Sequence, residues 1–225
     1  MVARHGLVIA AAALLVAVTA CRTPMFTIPD SGSVMERGEV EISPGFTSVN
    51  YSGGGVSGQE TRNFGGQVSL GMGRIPLIGI RAEGAMRMEY ADHVNSEVED
   101  WFYLRMQYKF RVAETVCFML ASTMNWRDDS FDWSPFDFGL IGSFPVASGF
   151  DVNTYVTANF IDREEEENNS VTVLPGIGAS IGYSPGGGAV TVLPGVSYIW
   201  DQEDTHSRWA WSLFLSFLLG TPTDW

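Results

Sequence analysis

Arg81, Glu83, Arg87, Glu89, Arg105, Lys109, Arg111, Asp137 and Asp151 all occupy odd-numbered positions, each in a stretch where apolar residues take the even ones. On extended strands this spacing gathers the charges on one face, because successive side chains point to opposite sides. Basic groups collected in that way could attract anions along a path. Interleaved with acids, they could equally form ion pairs that fill a narrow interior. The mixture of signs favours ion pairing.

Further acids cluster between the apolar stretches: Asp92, Glu97, Glu99 and Asp100; Asp128, Asp129 and Asp132; Glu164 to Glu167; Asp201, Glu203 and Asp204. Carboxylates at such density could hold divalent cations, which prefer oxygen ligands. No D-x-[DN]-x-[DN]-G spacing occurs, so a solvated acidic crown is the expectation and no metal or other cofactor is expected. His93 and His206 stand beside acids, as Asp92-His93 and Asp204-Thr205-His206, and a carboxylate can orient an imidazole as general base. This arrangement faintly resembles the omptin proteases, ten-stranded barrels with an aspartate–histidine pair and an aspartate pair at the outer rim. The resemblance implies Asp204 with His206 as the first pair and Asp128 with Asp129 as the second. It covers a few residues of a chain much shorter than an omptin. No G-x-S-x-G nucleophile motif supports another hydrolase, and the expectation is a protein that is not an enzyme.

The compartment is written in the first residues. Arg4 and His5 precede an apolar run from Leu7 to Val18, followed by Val18-Thr19-Ala20-Cys21. The run is shorter than the roughly 20 residues a spanning helix needs and reads as a cleaved signal segment. Val18 to Cys21 resembles the lipobox of bacterial lipoproteins, which implies a lipid such as palmitate on Cys21 and a mature chain that starts there. By the same resemblance Arg22, in place of an aspartate, favours the outer membrane. Cleavage would remove Arg4 and no acid, leaving 12 Lys and Arg against 26 Asp and Glu, a net charge of 12 − 26 = −14. So acidic a chain is unsuited to nucleic acid, which selects basic surfaces. With Cys21 lipidated, Cys117 has no disulfide partner and reads as a small buried apolar residue.

Positioning the charged face requires strands, and the alternation supplies them. Ile78, Ile80, Ala82, Gly84, Met86, Met88 and Tyr90 alternate with Arg81, Glu83, Ala85, Arg87 and Glu89. Phe102, Leu104, Met106, Tyr108, Phe110 and Val112 alternate with Tyr103, Arg105, Gln107, Lys109 and Arg111. Weaker versions include Val116 to Trp126, Phe136 to Phe144, Val152 to Phe160, and Trp209 to Leu219. Trp209 and Trp211 read as lipid-facing aromatics rather than a partner surface. Short turns near Gly73–Pro76, Val112–Thr115, Val146–Gly149 and Ser184–Gly188 alternate with longer loops at Ser52–Arg62, Ala91–Asp100, Arg127–Trp133, Asp162–Ser170 and Asp201–Ser207. The stretches are long enough to cross hydrocarbon, and aromatics recur at their ends. Such a pattern predicts an all-β, antiparallel, up-and-down transmembrane β-barrel of about ten strands, resembling small outer-membrane barrels.

The predicted organisation is a signal peptide over residues 1–20, a lipid-anchored periplasmic linker over 21–38, a barrel over 39–220 and a tail over 221–225. The linker contains Pro24 and Pro29 and shows no sustained period. The first strand, near Glu39 to Tyr51, is interrupted by Pro44 and Gly45. Val171-Thr172-Val173-Leu174-Pro175-Gly176 recurs as Val190-Thr191-Val192-Leu193-Pro194-Gly195, placing a proline inside two successive strands. Proline removes a ladder donor, so a bulge or bend is expected at each. Thr221-Pro222-Thr223-Asp224 also separates Trp225 from the last apolar run. The functional expectation is a structural or surface-interaction lipoprotein of the outer membrane, termini in the periplasm and acidic loops outside. Its expected partners are outer-membrane lipid and an extracellular or periplasmic protein. A small pore with a charged lumen and a periplasmic lipid-binding, lipocalin-like lipoprotein are the alternatives, the latter without the G-x-W signature.

Overall fold

A strand in hydrocarbon must pair every backbone donor and acceptor, and only closure leaves no edge. The computed structural model, which describes residues 34–52, 60–76, 79–94, 101–127, 130–165, 168–184, 190–200 and 207–220, is such a closed barrel. Its strands are β1 (Val40–Ser52), β2 (Glu60–Arg74), β3 (Arg81–Val94), β4 (Trp101–Ala113), β5 (Val116–Arg127), β6 (Ser130–Ala147), β7 (Phe150–Glu165), β8 (Asn168–Tyr183), β9 (Val190–Trp200) and β10 (Ser207–Leu218). Each pairs antiparallel with its neighbours in sequence, and β1 closes on β10 from Glu41–Leu218 to Ser52–Ser207.

The faces sort as the alternation requires. Met86 is 45 % exposed while its neighbour Arg87 is 3 % exposed. Phe64, Val68, Leu70 and Met72 on β2, Leu140 and Phe144 on β6, and Trp209, Trp211, Leu213 and Leu215 on β10 also point outward. Exposed aromatics mark both ends of this apolar surface. Tyr90, Phe102, Trp126, Trp200 and Trp209 lie toward one end, with Phe102 and Trp126 5.7 Å apart between ring centres. Phe150 and Tyr183 stack at 4.5 Å toward the other. Apolar side chains outward between two aromatic girdles, with ionic ones inward, make this a membrane-spanning barrel.

The end carrying both the start of β1 and the finish of β10 also carries the Glu114–Thr115 turn and Gly149, whose φ of 76° suits the β6–β7 turn. At the opposite end two expected loops are largely strand. β5 and β6 stay paired to Arg127–Ser130, and β7 and β8 to Glu165–Asn168. Backbone pairing thus runs into the segments expected as loops at Arg127–Trp133 and Asp162–Ser170, one residue beyond Trp126 in β5–β6 and through Asp162, Glu164 and Glu165 in β7–β8.

Pro44, Pro175 and Pro194 neither break nor bulge their strands. The ladder shifts register at Gly71/Gly73, Arg111/Ala113, Ala121/Thr123 and Pro145/Ala147, and not at Pro44, Pro175 or Pro194. Pairing of β8 with β9 instead lapses at Ile181–Pro194 and Gly182–Leu193 and resumes unshifted at Tyr183–Val192. That is the effect of one absent N–H, Pro194 having no donor for the Ile181 carbonyl. Pro175, an even number of positions before Ile181, also faces β9 with its nitrogen, where the ladder starts only at Gly176–Ile199. Pro44 leaves a similar lapse between β1 and β10, from Ile42–Phe217 to Gly45–Phe214.

Candidate functional site

Six of the charged residues singled out by parity form the buried wall of the lumen. Glu83 and Lys109 are directly opposed on β3 and β4 and meet at 2.8 Å. Arg87 and Arg105 are also directly opposed, an arrangement that repels unless each cation finds an acid. Arg87 pairs with Glu89 on its own strand. Arg105 reaches across β5 to Asp137 on β6, donating to Oδ2 at 2.6 Å, with Thr123 Oγ1 at 3.5 Å. Asn63 on β2 donates to Glu89 at 3.2 Å. All six ions are at most 3 % exposed. Three acids balance three bases, so the described core of the lumen is neutral and every cation in it has a carboxylate within ion-pair reach.

The other three lie toward the short-turn end, apart from these six. Arg81 sits at the short-turn mouth and pairs with Glu36. Arg111 is on the rim, donating to the carbonyls of Ala113 and Glu114 at 3.4 Å each, because its strand end lies at the turn. Asp151, half-buried near the start of β7, faces a cavity of about 270 Å³ at the same mouth.

Opposite the ionic wall the lumen is lined by uncharged side chains, small, polar and aromatic. Phe214 lies on the inward parity of β10 among Ala210, Ser212 and Ser216, and is 1 % exposed. It covers Gly45 of β1, where a Cβ would fall inside the ring. The Arg87 guanidinium carbon sits 5.5 Å from the centre of this ring, so the two walls touch across the interior. Tyr155 similarly lies over Gly178 of β8, and its hydroxyl donates to the Val196 carbonyl at 3.3 Å. Both glycines act as floors for an aromatic, a way of filling a narrow barrel. Cys117 is buried as expected, together with Met119 and Ile141.

Residues 34–38, expected to belong to a linker, pack into the short-turn mouth. Val34 is buried among Cys117, Met119, Ile141 and Tyr155, and the Met35 amide donates to Glu83 Oε2 at 3.1 Å. The ion-pair network therefore also anchors the segment that closes the lumen beneath it. Nothing in the period of the sequence marks this segment, although Phe214 and Tyr155 could have been found as bulky residues on otherwise small or polar faces.

Cys21 and its neighbours, the loop acids Glu97, Glu99, Asp100, Asp128, Asp129, Asp201, Glu203 and Asp204, and His206 lie outside the described residues, so the omptin-like pairs have no geometry to report. His93 falls within β3, but its side chain is not among those described. The lipocalin-like alternative required an apolar face turned inward, and the outward exposure of Met86, Leu140 and Trp211 overturns it.

No family model matches the chain, and a search of curated proteins finds no similar one. Among solved structures it is similar to the attachment invasion locus protein Ail of Yersinia pestis, at 14 % identity and a TM-score of 0.35, over 81 % of this chain and 99 % of that one. The translocator domain of the autotransporter NalP from Neisseria meningitidis matches at 9 % identity and a TM-score of 0.47, covering 81 % and 89 % respectively. The N-terminal β-barrel domain of Pseudomonas aeruginosa OprF matches at 11 % and 0.31, covering 81 % and 100 %.

Proposed function

We propose that this is an outer-membrane barrel lipoprotein with a structural or surface-interaction role, non-conducting and non-enzymatic, anchored through Cys21. The observation that carries the reading is the filled lumen: a neutral set of buried ion pairs lies against Phe214, with Val34 and Met35 seated in the mouth. A selective anion path needs unmatched positive charge along open space; the six buried ions are matched, and the hollow of about 270 Å³ at the mouth is lined by acids.

In this reading the short turns and both chain termini face the periplasm, and the paired hairpins β5–β6 and β7–β8 carry their acids outward. Twelve residues, 22–33, separate Cys21 from Val34. Extended, they reach about 40 Å, enough to run from the mouth to the inner leaflet. The hairpin tips and acidic loops are then the part of the molecule available to a protein partner.

Reconstitution into planar bilayers tests the role, with no conductance steps above those of protein-free membranes as the expected result. Discrete ion-selective steps from the full-length chain would instead establish a pore. Metabolic labelling with a palmitate analogue should mark the wild-type chain and leave Cys21→Ser unlabelled. Surface proteolysis of intact cells should cut only at the long-loop end.

A further inference from the structure

We propose that the seam between β8 and β9 is a lateral binding site for an amine-bearing membrane lipid, its acyl chain outside the barrel and its head inside. The inference rests on the membrane-spanning fold and not on the role suggested above.

Two hollows lie on either side of the same lapse in the ladder. On the outer face a groove of about 530 Å³ is lined by Ile181, Pro194, Val196 and Trp211, among others. On the inner face the cavity of about 270 Å³ is lined by Gly182 and Leu193, with Asp151, Glu39 and Glu41. Ile181–Pro194 and Gly182–Leu193 are the two pairs missing from this ladder. The wall between groove and cavity is thus the place where β8 and β9 have lost a backbone hydrogen bond.

The comparable lapse at Pro44 is stitched from inside by Ser43 Oγ and Ser216 Oγ at 2.8 Å. At the β8–β9 lapse no such stitch can form, since Gly182 has no side chain and Leu193 has no polar atom. Pairing is regained only toward the turn, where Ser184 Oγ and Thr191 Oγ1 lie 2.7 Å apart. Of the two proline lapses, this one is therefore the easier to part.

Depth and charge select the occupant. The cavity lies at the short-turn end, near the level of the stacked Phe150 and Tyr183, where lipid headgroups lie. The groove runs from there toward the apolar belt, the direction of an acyl chain. Four carboxylates line the cavity, and while Glu36 is held by Arg81, Glu39, Glu41 and Asp151 disfavour an anionic head and suit an ammonium, with Asn153 and Ser216 as further hydrogen-bonding groups. An ethanolamine phospholipid of the surrounding leaflet has this chemistry.

The test is native mass spectrometry of full-length protein released from vesicles containing equal phosphatidylethanolamine and phosphatidylglycerol. Wild-type protein should retain the ethanolamine lipid over the glycerol lipid by about tenfold, the discrimination that one charge-assisted hydrogen bond supplies. Glu41→Gln with Asp151→Asn should bring the two lipids to parity. Val196→Trp, which fills the groove from the lipid side, and Pro194→Val, which restores the missing donor, should each lower retention of the ethanolamine lipid. Pro44→Val, at the stitched seam, should leave it unchanged. Equal retention of both lipids by the wild type overturns the proposal, as does a preference that survives Val196→Trp and Pro194→Val. Neither result bears on conductance or lipidation, so the site can fail while the structural reading stands.

Discussion

Replacing Asp137 by leucine should strip Arg105 of its carboxylate while leaving it enclosed. The pair lies 2.6 Å apart, and both side chains are 1 % exposed, so solvent can do little to screen the orphaned cation. With charge centres about 4 Å apart and an effective dielectric constant of about 20, the lost attraction is about 4 kcal/mol. That agrees with the roughly 3–5 kcal/mol by which breaking a buried pair destabilises a protein. Thr123 cannot compensate, because its hydroxyl is 3.5 Å from the same guanidinium nitrogen and carries no charge. Urea unfolding in lipid vesicles, followed by tryptophan fluorescence and by the gel mobility of folded against unfolded barrel, measures the loss. Adding Arg105→Met should recover most of it, since an apolar pair of similar volume removes both the charge and the need for a partner. A loss below about 1 kcal/mol for Asp137→Leu, or no recovery in the double variant, would refute a sealed ion pair and imply water around Arg105.

Four other substitutions probe three separate parts of the barrel. Gly178→Val would drive a side chain into the Tyr155 ring and should cost about 1–3 kcal/mol in the same unfolding assay, whereas Tyr155→Phe, losing the hydroxyl that bonds the Val196 carbonyl, should cost about 0.5–1.5 kcal/mol. Met106→Arg places a cation on the lipid face of β4 and should destabilise by about 2–4 kcal/mol if that residue lies near the midplane; little change would contradict the outward assignment. Val34→Asp, which puts a carboxylate among Cys117, Met119, Ile141 and Tyr155, should release residues 34–38 from the mouth, read as faster hydrogen exchange at the Met35 amide than in the wild type.

What was legible in the sequence was what obeys a period of two. Arg87, Arg105 and Lys109 could be assigned to the interior from their parity, and Met86 and Leu104 to the exterior, because in a barrel wall face and environment coincide. Partner choice was not legible: Arg105 passes over Thr123 to reach Asp137 two strands away, and only strand tilt and side-chain length decide that. Arg81, Arg111 and Asp151 share the parity of the buried ions but lie near strand ends, where facing inward no longer means being enclosed. The mouth segment obeys no period, since Val34 is buried by what it fits rather than by a repeating face. The sequence marks proline as a disturbance of its own strand, yet at Pro194 the lapse falls between strands, because the Ile181 carbonyl of β8 meets a nitrogen with no proton to give.

The distribution of charge bears on what the barrel can meet. Its described buried ions sum to zero, three acids against three bases, while the whole chain carries 26 acids against 13 Lys and Arg. The excess therefore lies outside that buried set, in rim, hairpin and loop positions. An interior that balances its own ions makes no use of that acidity for folding, and acids crowded on the outer segments repel each other more than they stabilise. Such an excess is tolerated where water and salt screen it, within about a Debye length of 8 Å. Acidity on this chain is then a property of residues outside its buried ionic set, not of the described interior.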